Sequence, residues 1–256
     1  MNTQEIITAL DVIQNNVNKL RNEVLNKSET LTEVKPKYIN EKYTYNKIYN
    51  ICHNHEAKKH FTVGDQLKVD NVILNKKSII FDIVDVKDNS ITLVTHYLVA
   101  QMPFDAAEPN NPDKFIASYG SNNYEQSSVR QWLNSAETSG KWWKPQNGYD
   151  KLVANLNYMD GFLYGIDKDF VDVVAKNELG DKFWLPSEDE INDIPFFKDK
   201  KNRKKQYVSG KKDYWWLRTP NSGDTCYVRS VDTSGGLDSN FACIAGGVAP
   251  VCAITG

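Results

Sequence analysis

The strongest constraint on the fold is a pair of tryptophans near the end of the chain. Residues 214–223 read Tyr-Trp-Trp-Leu-Arg-Thr-Pro-Asn-Ser-Gly, and residues 246–250 read Gly-Gly-Val-Ala-Pro. Two indoles beside a Leu, a guanidinium and a Pro/Gly-rich turn predict packed, irregular backbone, because each indole supplies a large contact area and one polar group. These two segments therefore predict the anchor points of a loop-rich domain.

Composition limits the classes of protein that fit. The chain has 256 residues, a formal net charge of -2 and a hydrophobic content of 40%. This content is sufficient for a core, and the small net charge argues against a protein built around nucleic acid. No apolar run is long enough to cross a bilayer, and the amino end lacks the features of a secretory signal. We therefore expect a soluble protein, with no nucleic-acid partner and no membrane insertion.

An apolar repeat near the amino end alternates spacings of four and three residues. This spacing predicts an oligomerising coiled-coil helix over residues 1–31. Ile at two of the d positions disfavours a parallel dimer, so a homotrimer is the first expectation. The alternative is a single amphipathic helix that lies on its own globular domain. The repeat consists of Ile6, Leu10, Ile13, Val17, Leu20 and Val24.

Residues 32–60 are polar and rich in Lys and Tyr, and Pro36 prevents one continuous helix. We interpret them as a neck that links the helix to a head. Their tyrosines would either pack against neighbouring subunits or lie in exposed linker. A thiol and three imidazoles in this segment could in principle bind zinc, but they would close a very tight loop, so no metal site is predicted. These residues are Cys52, His53, His55 and His60.

Beyond Phe61, runs of alternating apolar and polar residues predict antiparallel strands. The runs span residues 66–74, 78–86 and 90–99.

Local signals also predict three helices. Capping boxes at Ser128 and Ser187 mark the start of two of them. A third helix is expected over residues 168–179, ended by Gly180. Strands, then helices, then strands again define an α+β head domain over residues 61–256.

These segments resemble a family of C-type-lectin-like domains of unassigned function that is common in Firmicutes and their phages. That family is distantly similar to the formylglycine-generating, sulfatase-modifying fold. Its ending, Trp-Trp-Leu-Arg-Ser-Pro followed by Gly-Val-Arg-Pro-Ala, corresponds to the two segments described first, with Thr219 in place of Ser and Ala249 in place of Arg. Other similar segments are Gly64-Asp65, residues 83–94, residues 124–134 and residues 183–190. The resemblance implies a lectin-like head after the coiled coil.

The late ribbon, residues 223–245, holds the candidate ligand-binding residues. Polar side chains alternate there with apolar ones, so one side must face outward. In related phage adhesins this segment is the displayed binding surface, and Tyr, Asn and Asp bind adaptably at low entropic cost. An ordinary polar solvent face is the alternative. The candidates are Asp224, Tyr227, Arg229, Asp232, Asp238 and Asn240.

The cysteines are expected to be buried free thiols, because no Cys-x-x-Cys spacing occurs. A bridge between Cys226 and Cys243 remains an alternative. The formylglycine-generating relatives oxidise their substrate with a cysteine pair that binds copper, and Cys243 and Cys252 lie in the corresponding region without aligning to that pair. No Ser/His/Asp or Cys/His set is visible. We therefore expect no enzyme, no catalytic residue and no cofactor.

Two further segments have simple explanations. Residues 198–212 hold eight Lys and Arg residues, which we interpret as a solvated loop, or otherwise as a surface for an acidic partner. The tripeptide Glu108-Pro109-Asn110 matches a calcium-binding motif of sugar-binding lectins, but its place early in the domain favours chance.

Together these features predict a phage virion structural protein, a tail-fibre or capsid-decoration subunit assembled in the host cytoplasm. The amino-terminal helix would bind other virion proteins, and the head would attach to a host-surface glycan. The alternatives are a purely structural capsid or tail component and an oxidase of the formylglycine-generating type.

Overall fold

The chain divides into two compact units, residues 1–37 and 38–256. The computed structural model describes residues 14, 16, 17, 19, 20, 38–71 and 78–256, except for the side chains of residues 154 and 155. The described residues of the first unit are helical, and Val17 and Leu20 are 51% and 61% exposed. The other predicted coiled-coil residues, Ile6, Leu10, Ile13 and Val24, lie outside the described residues.

The first sheet of the second unit is antiparallel, in the order β1-β2-β3-β9. Its first three strands confirm the predicted alternating runs; β1 and β3 are shorter than their runs, and β2 has the predicted length and is shifted by one residue. The strands are β1 (Gln66–Val69), β2 (Ile79–Lys87), β3 (Ser90–Thr95) and β9 (Val251–Thr255).

The second sheet has the order β4-β8-β5-β6-β7, so β4 and β7 form its edges. All neighbours are antiparallel except β5 and β8, which pair in parallel where Trp215 lies opposite Gly247. The strands are β4 (Ala100–Pro103), β5 (Trp215–Pro220), β6 (Tyr227–Val231), β7 (Leu237–Phe241) and β8 (Ala245–Val248).

Short helices connect and cover the sheets. Together with them the sheets confirm the α+β class. In the part of the chain from residue 38 onward, the described α-helices are α1 (Tyr45–His53), α2 (Ala57–His60), α3 (Lys114–Tyr119), α4 (Ser128–Leu133), α5 (Lys168–Val173), α6 (Glu188–Asp193), α7 (Pro195–Lys198) and α8 (Lys200–Arg203). None of these described helices has the length and apolar character that crossing a bilayer requires.

All three predicted helices are present, but the N-cap of one and the end of another differ from the prediction. The capping box between Ser187 and Glu190 is present at α6. At α4 the N-cap is Ser127, whose hydroxyl accepts from Arg130 N, because Ser128 Oγ donates to Asp105 instead. The third helix ends at Val173 rather than at residue 179, because the chain becomes extended at Val174.

The predicted neck needs correction, because the second unit begins at Tyr38 and not after residue 60. Residues 38–60 contribute fully buried side chains to its core. On α1 these are Ile48, Ile51 and Cys52, which lie three and four residues apart and therefore share one face of the helix. That face packs against β9 and α5.

The paired indoles confirm the predicted anchor. Trp215 and Trp216 are completely buried, and each indole N–H has a backbone acceptor: Arg203 O at 2.8 Å and Met102 O at 3.1 Å. Gly246 lies against the ring of Tyr214, where an added Cβ would lie 2.5 Å from a ring carbon. The Gly-Gly segment is therefore needed for close packing of β8 on the aromatic core.

Candidate functional site

The six candidate residues of the late ribbon do not form one cluster. Tyr227 and Arg229 lie on one face of the β6–β7 hairpin, since they pair with Phe241 and Ser239. Asp238 and Asn240 pair with Ser230 and Val228 and therefore lie on the opposite face. Asp224 and Asp232 lie in the loops that precede and follow β6.

Three of these residues have local structural contacts. Asp232 Oδ1 accepts from Ser234 N, Ser234 Oγ and Gly236 N, and these hydrogen bonds lower the pKa of the carboxyl group. Asp232 therefore shapes the β6–β7 turn. Arg229 donates from Nε and Nη2 to the two carboxylate oxygens of Glu188, at 2.5 and 3.1 Å, and so ties β6 to the first turn of α6. Asp224 accepts from Asn221 Nδ2 at 3.2 Å.

Asp238 and Asn240 cover the edge of the sheet. In β7, every second residue directs its N–H group toward β6, and the residues between them direct theirs away from it. Ala242 N donates to Cys226 O across this pairing, so the N–H groups of Ser239 and Phe241 point away from β6. Ser239 N donates to Asp238 Oδ1 at 2.8 Å, and Phe241 N donates to Asn240 Oδ1 at 2.9 Å. Two outward donors of this edge strand, the N–H groups of Ser239 and Phe241, are thus already engaged.

One predicted residue, Tyr227, belongs to a larger aromatic surface that sequence reasoning missed. We define the aromatic surface as Phe115, Tyr119, Tyr227 and Phe241. The Phe241 ring stacks on Tyr119 with centroids 4.0 Å apart and an interplanar angle of 16°, and it lies 4.2 Å from the Tyr227 ring. Phe115 is 62% exposed and lies one helical turn before Tyr119, which is 37% exposed.

The backbone around the aromatic surface is well fixed. Cys243 N donates to Tyr119 O at 2.8 Å, and Thr225 Oγ1 donates to Asp113 Oδ2 at 2.9 Å. Asp113 also caps α3 by accepting from Phe115 N. These bonds hold α3 against the end of the β6–β7 hairpin, so the rings form a preorganised apolar platform.

A polar cleft of about 550 Å³ opens between the segment after α3, the loop before α6 and the end of β5. Its side chains offer amide, hydroxyl, carboxylate and guanidinium groups. The cleft is lined by Asn122, Asn123, Tyr124, Glu125, Glu178, Leu179, Ser187, Arg218, Thr219 and Pro220.

The polar cleft has a paired positive charge and two unpaired negative charges. Arg218 Nη1 donates to Glu190 Oε2 at 2.7 Å and to Leu185 O at 3.0 Å, so its charge is balanced within the protein. Glu125 and Glu178 are exposed, and neither carboxylate accepts a hydrogen bond from any residue that the structure describes. The polar cleft therefore carries negative charge.

A second correction concerns the basic segment 198–212, because Lys205 is buried rather than solvated. Its Nζ donates to Thr95 O, and its charge faces the carboxylate of Asp82. Burial lowers the pKa of Lys205 to about 8, while Asp82 partly opposes this shift. Burial acts to raise the pKa of Asp82, but a hydrogen bond from His96 and the charge of Lys205 outweigh it and lower that pKa. This group of side chains braces β2 and β3 against the segment before β5.

The Cys and His residues of the predicted neck are not brought together. Cys52 is buried on α1, whereas the imidazole of His60 contacts Tyr43 OH at 3.2 Å and His53 stacks on Tyr49. Within the described ranges, no three His, Cys, Asp or Glu side chains are arranged to hold a metal ion.

All four cysteines are free thiols, so the alternative bridge between Cys226 and Cys243 is not formed. Cys252 lies in β9 of the four-stranded sheet, and Cys243 precedes β8 of the other sheet. Burial raises the pKa of both thiols, which makes the reactive thiolate less accessible.

Glu108 of the lectin-like tripeptide is 1% exposed and acts within the loops. Its carboxylate accepts from Asn111 Nδ2 at 2.5 Å and from Asn147 Nδ2 at 3.2 Å. It thus braces two connecting segments.

The fold defines a class, an α+β domain in which a four-stranded and a five-stranded sheet are covered by short helices. Residues 71–256 match the family described as "Domain of unknown function (DUF6273)", so the chain belongs to this family. The chain matched no curated protein and no solved structure. An assignment of activity therefore depends on the surfaces described above.

Proposed function

We propose that this protein is a phage virion subunit, a fibre or decoration protein whose lectin-like head binds glycan on the host surface. The observation that carries the proposal is the aromatic surface. A connected group of rings left partly exposed on a folded domain marks an interaction site more often than isolated apolar residues do. Flat rings in fixed positions suit the apolar face of a sugar ring, because they provide contact area without ordering flexible side chains on binding.

The amino-terminal helix supports the display of several heads. Val17 and Leu20 are three residues apart on a helix and are both mostly exposed, so an apolar strip is available to other copies of the chain. Association as a homotrimer would present three aromatic surfaces to one target and convert weak contacts into avidity. The same segment would bind other virion proteins, and the location on a phage particle rests on the resemblance to the lectin-like family.

The aromatic surface predicts a specific loss of binding. Replacing Tyr119 by Ala removes the ring that stacks on Phe241, so we expect retention on a glycan array to fall by about tenfold or more, as for a central aromatic contact. The matched control is Tyr158→Ala, because Tyr158 is 88% exposed and lies outside the aromatic surface. Thermal unfolding of both variants checks that the fold is retained.

The outcomes separate the alternatives. A wild-type chain that enters particles but retains no glycan would indicate a purely structural capsid or tail component. Substrate oxidation that is lost in Cys243→Ser or Cys252→Ser would indicate an oxidase of the formylglycine-generating type. Equal glycan retention by Tyr119→Ala and Tyr158→Ala would remove the aromatic surface from the proposal.

A further inference from the structure

The aromatic surface and the polar cleft are adjacent. Tyr119 contributes its ring to the aromatic surface, and Asn122, three residues later, lines the polar cleft. Asn122 Nδ2 donates to Asp224 O at 2.7 Å and to Tyr227 O at 3.1 Å, and Asn122 N donates to Thr225 O. The wall of the polar cleft is therefore bonded to the strand that carries the Tyr227 ring.

The polar cleft has the size and the chemistry of a small-molecule site. Its volume of about 550 Å³ lies within the usual range of roughly 300–1,000 Å³ for such sites. Tyr124, which is 6% exposed, lines it; its hydroxyl oxygen accepts from Leu185 N, and no described residue accepts its proton. Burial raises the pKa of Tyr124, so the buried hydroxyl stays protonated and fixes the wall of the polar cleft to the segment before α6.

The negative charge of the polar cleft limits the chemical class of ligand that it can bind. The carboxylates of Glu125 and Glu178 can accept hydrogen bonds from sugar hydroxyl groups. Two described guanidinium groups lie at the polar cleft, and each is paired with another carboxylate: Arg218 with Glu190, and Arg130, which donates to Glu125 O and Leu179 O, with Asp181. The carboxylates of Glu125 and Glu178 therefore remain in excess. A polyanion would therefore meet like charge, whereas an uncharged sugar would not.

We infer that the polar cleft is a second sugar subsite, continuous with the aromatic surface, and that the ligand is an uncharged oligosaccharide rather than a single sugar. This inference rests on the proposed function. One sugar unit stacks on Tyr119 and Phe115, and a neighbouring unit places its hydroxyl groups against the exposed carboxylates of Glu125 and Glu178. Specificity for chain length then comes from the polar cleft, and apolar contact comes from the aromatic surface.

The test compares the affinity for monosaccharides with the affinity for tetrasaccharides. Calorimetric titration of the full-length chain uses glucose, N-acetylglucosamine, cellotetraose, maltotetraose and chitotetraose, together with polygalacturonate as the anionic probe. We expect at least one tetramer to bind about tenfold or more tighter than its monomer. The double variant Glu125→Ala/Glu178→Ala should lose this difference and keep the affinity for the monomer, and Tyr119→Ala should weaken both. The control is Glu137→Ala, which removes an exposed carboxylate elsewhere.

Each contrary result has a distinct meaning. If the double variant keeps the full advantage of the tetramer while Tyr119→Ala loses binding, the subsite is wrong and the proposed function stands. Tighter binding of polygalacturonate than of every neutral tetramer would overturn the assignment of an uncharged ligand. If the wild-type chain binds none of the probes, the proposed function fails together with the inference.

Discussion

At the scale of single residues, buried polar groups hold the loops of this domain together. Lys205, Glu108 and Asp105 are each less than 8% exposed, although residues of these types are usually found on the surface. Each one binds backbone or side-chain groups from a segment distant in sequence or from a neighbouring loop. Their burial is explained by these bonds, since an unpaired buried charge would be strongly destabilising.

Asp105 makes stability depend on pH. Burial raises the pKa of Asp105 to about 7 from its usual 3.8, although hydrogen bonds from Ser128 oppose the shift. Between pH 4 and pH 7 the native state then binds more protons than the unfolded state. The contribution to stability is complete below about pH 4 and is lost as the pH rises through 7, with a slope of up to about 1.4 kcal/mol per pH unit.

Replacing Asp105 by Asn should remove this slope, because the amide oxygen can still accept from Ser128 while the titrating group is gone. The free energy of unfolding, measured by denaturant titration at a series of pH values, should fall between pH 4 and pH 7 more steeply in the wild type than in Asp105→Asn. Asp88→Asn, at an exposed position, serves as the control. Parallel profiles for all three proteins would contradict the prediction.

At the scale of elements, the late ribbon is a hairpin whose polar residues have separate tasks. Asp232 forms the turn, Arg229 ties β6 to α6, and Asp238 and Asn240 engage the outward N–H groups of Ser239 and Phe241 in β7. With Asp224, which accepts from Asn221, five of the six residues that the sequence assigned to ligand binding therefore have structural contacts of their own, and Tyr227 is the one that joins the aromatic surface.

The edge strand predicts a change in self-association. The double variant Asp238→Ala/Asn240→Ala frees the N–H groups of Ser239 and Phe241, so β7 becomes available for pairing with another chain. We expect concentration-dependent association beyond the native oligomer, measured by light scattering, and a free energy of unfolding lowered by about 1 kcal/mol. Ser239→Ala, in the same strand, should leave the scattering unchanged. Unchanged scattering in the double variant would show that the edge is protected in another way.

At the scale of the whole molecule, the two units predict separable assembly and folding. A chain of residues 38–256 retains the complete compact unit and should unfold cooperatively as a monomer. The full chain should have the mass of a trimer by light scattering after size-exclusion chromatography. Val17→Asp/Leu20→Asp should dissociate it, because charges in the apolar strip oppose helix association, whereas Lys19→Ala should not. An oligomer formed by residues 38–256 alone would contradict this account.

Local sequence determined much of the architecture. The α+β class, the positions of β1, β2 and β3, the capping box of α6 and the buried indoles were all predicted correctly, because alternation, capping residues and large aromatic side chains act over a few neighbouring residues. The neighbouring serines at 127 and 128 show the limit of such signals. Either could cap α4, and the contact of Ser128 with Asp105 decides which one does.

Tertiary structure alone decided the candidate site. Phe115 and Tyr119 lie far along the chain from Tyr227 and Phe241, and no local pattern indicates that their rings meet. The polar cleft likewise combines segments around residues 122, 178 and 218. The sequence determined which residues form strands and helices, whereas the packing of α3 against the β6–β7 hairpin determined which rings are exposed together. The physical reason is that a binding surface is made of contacts between segments, and periodicity within one segment carries no information about its neighbours in space.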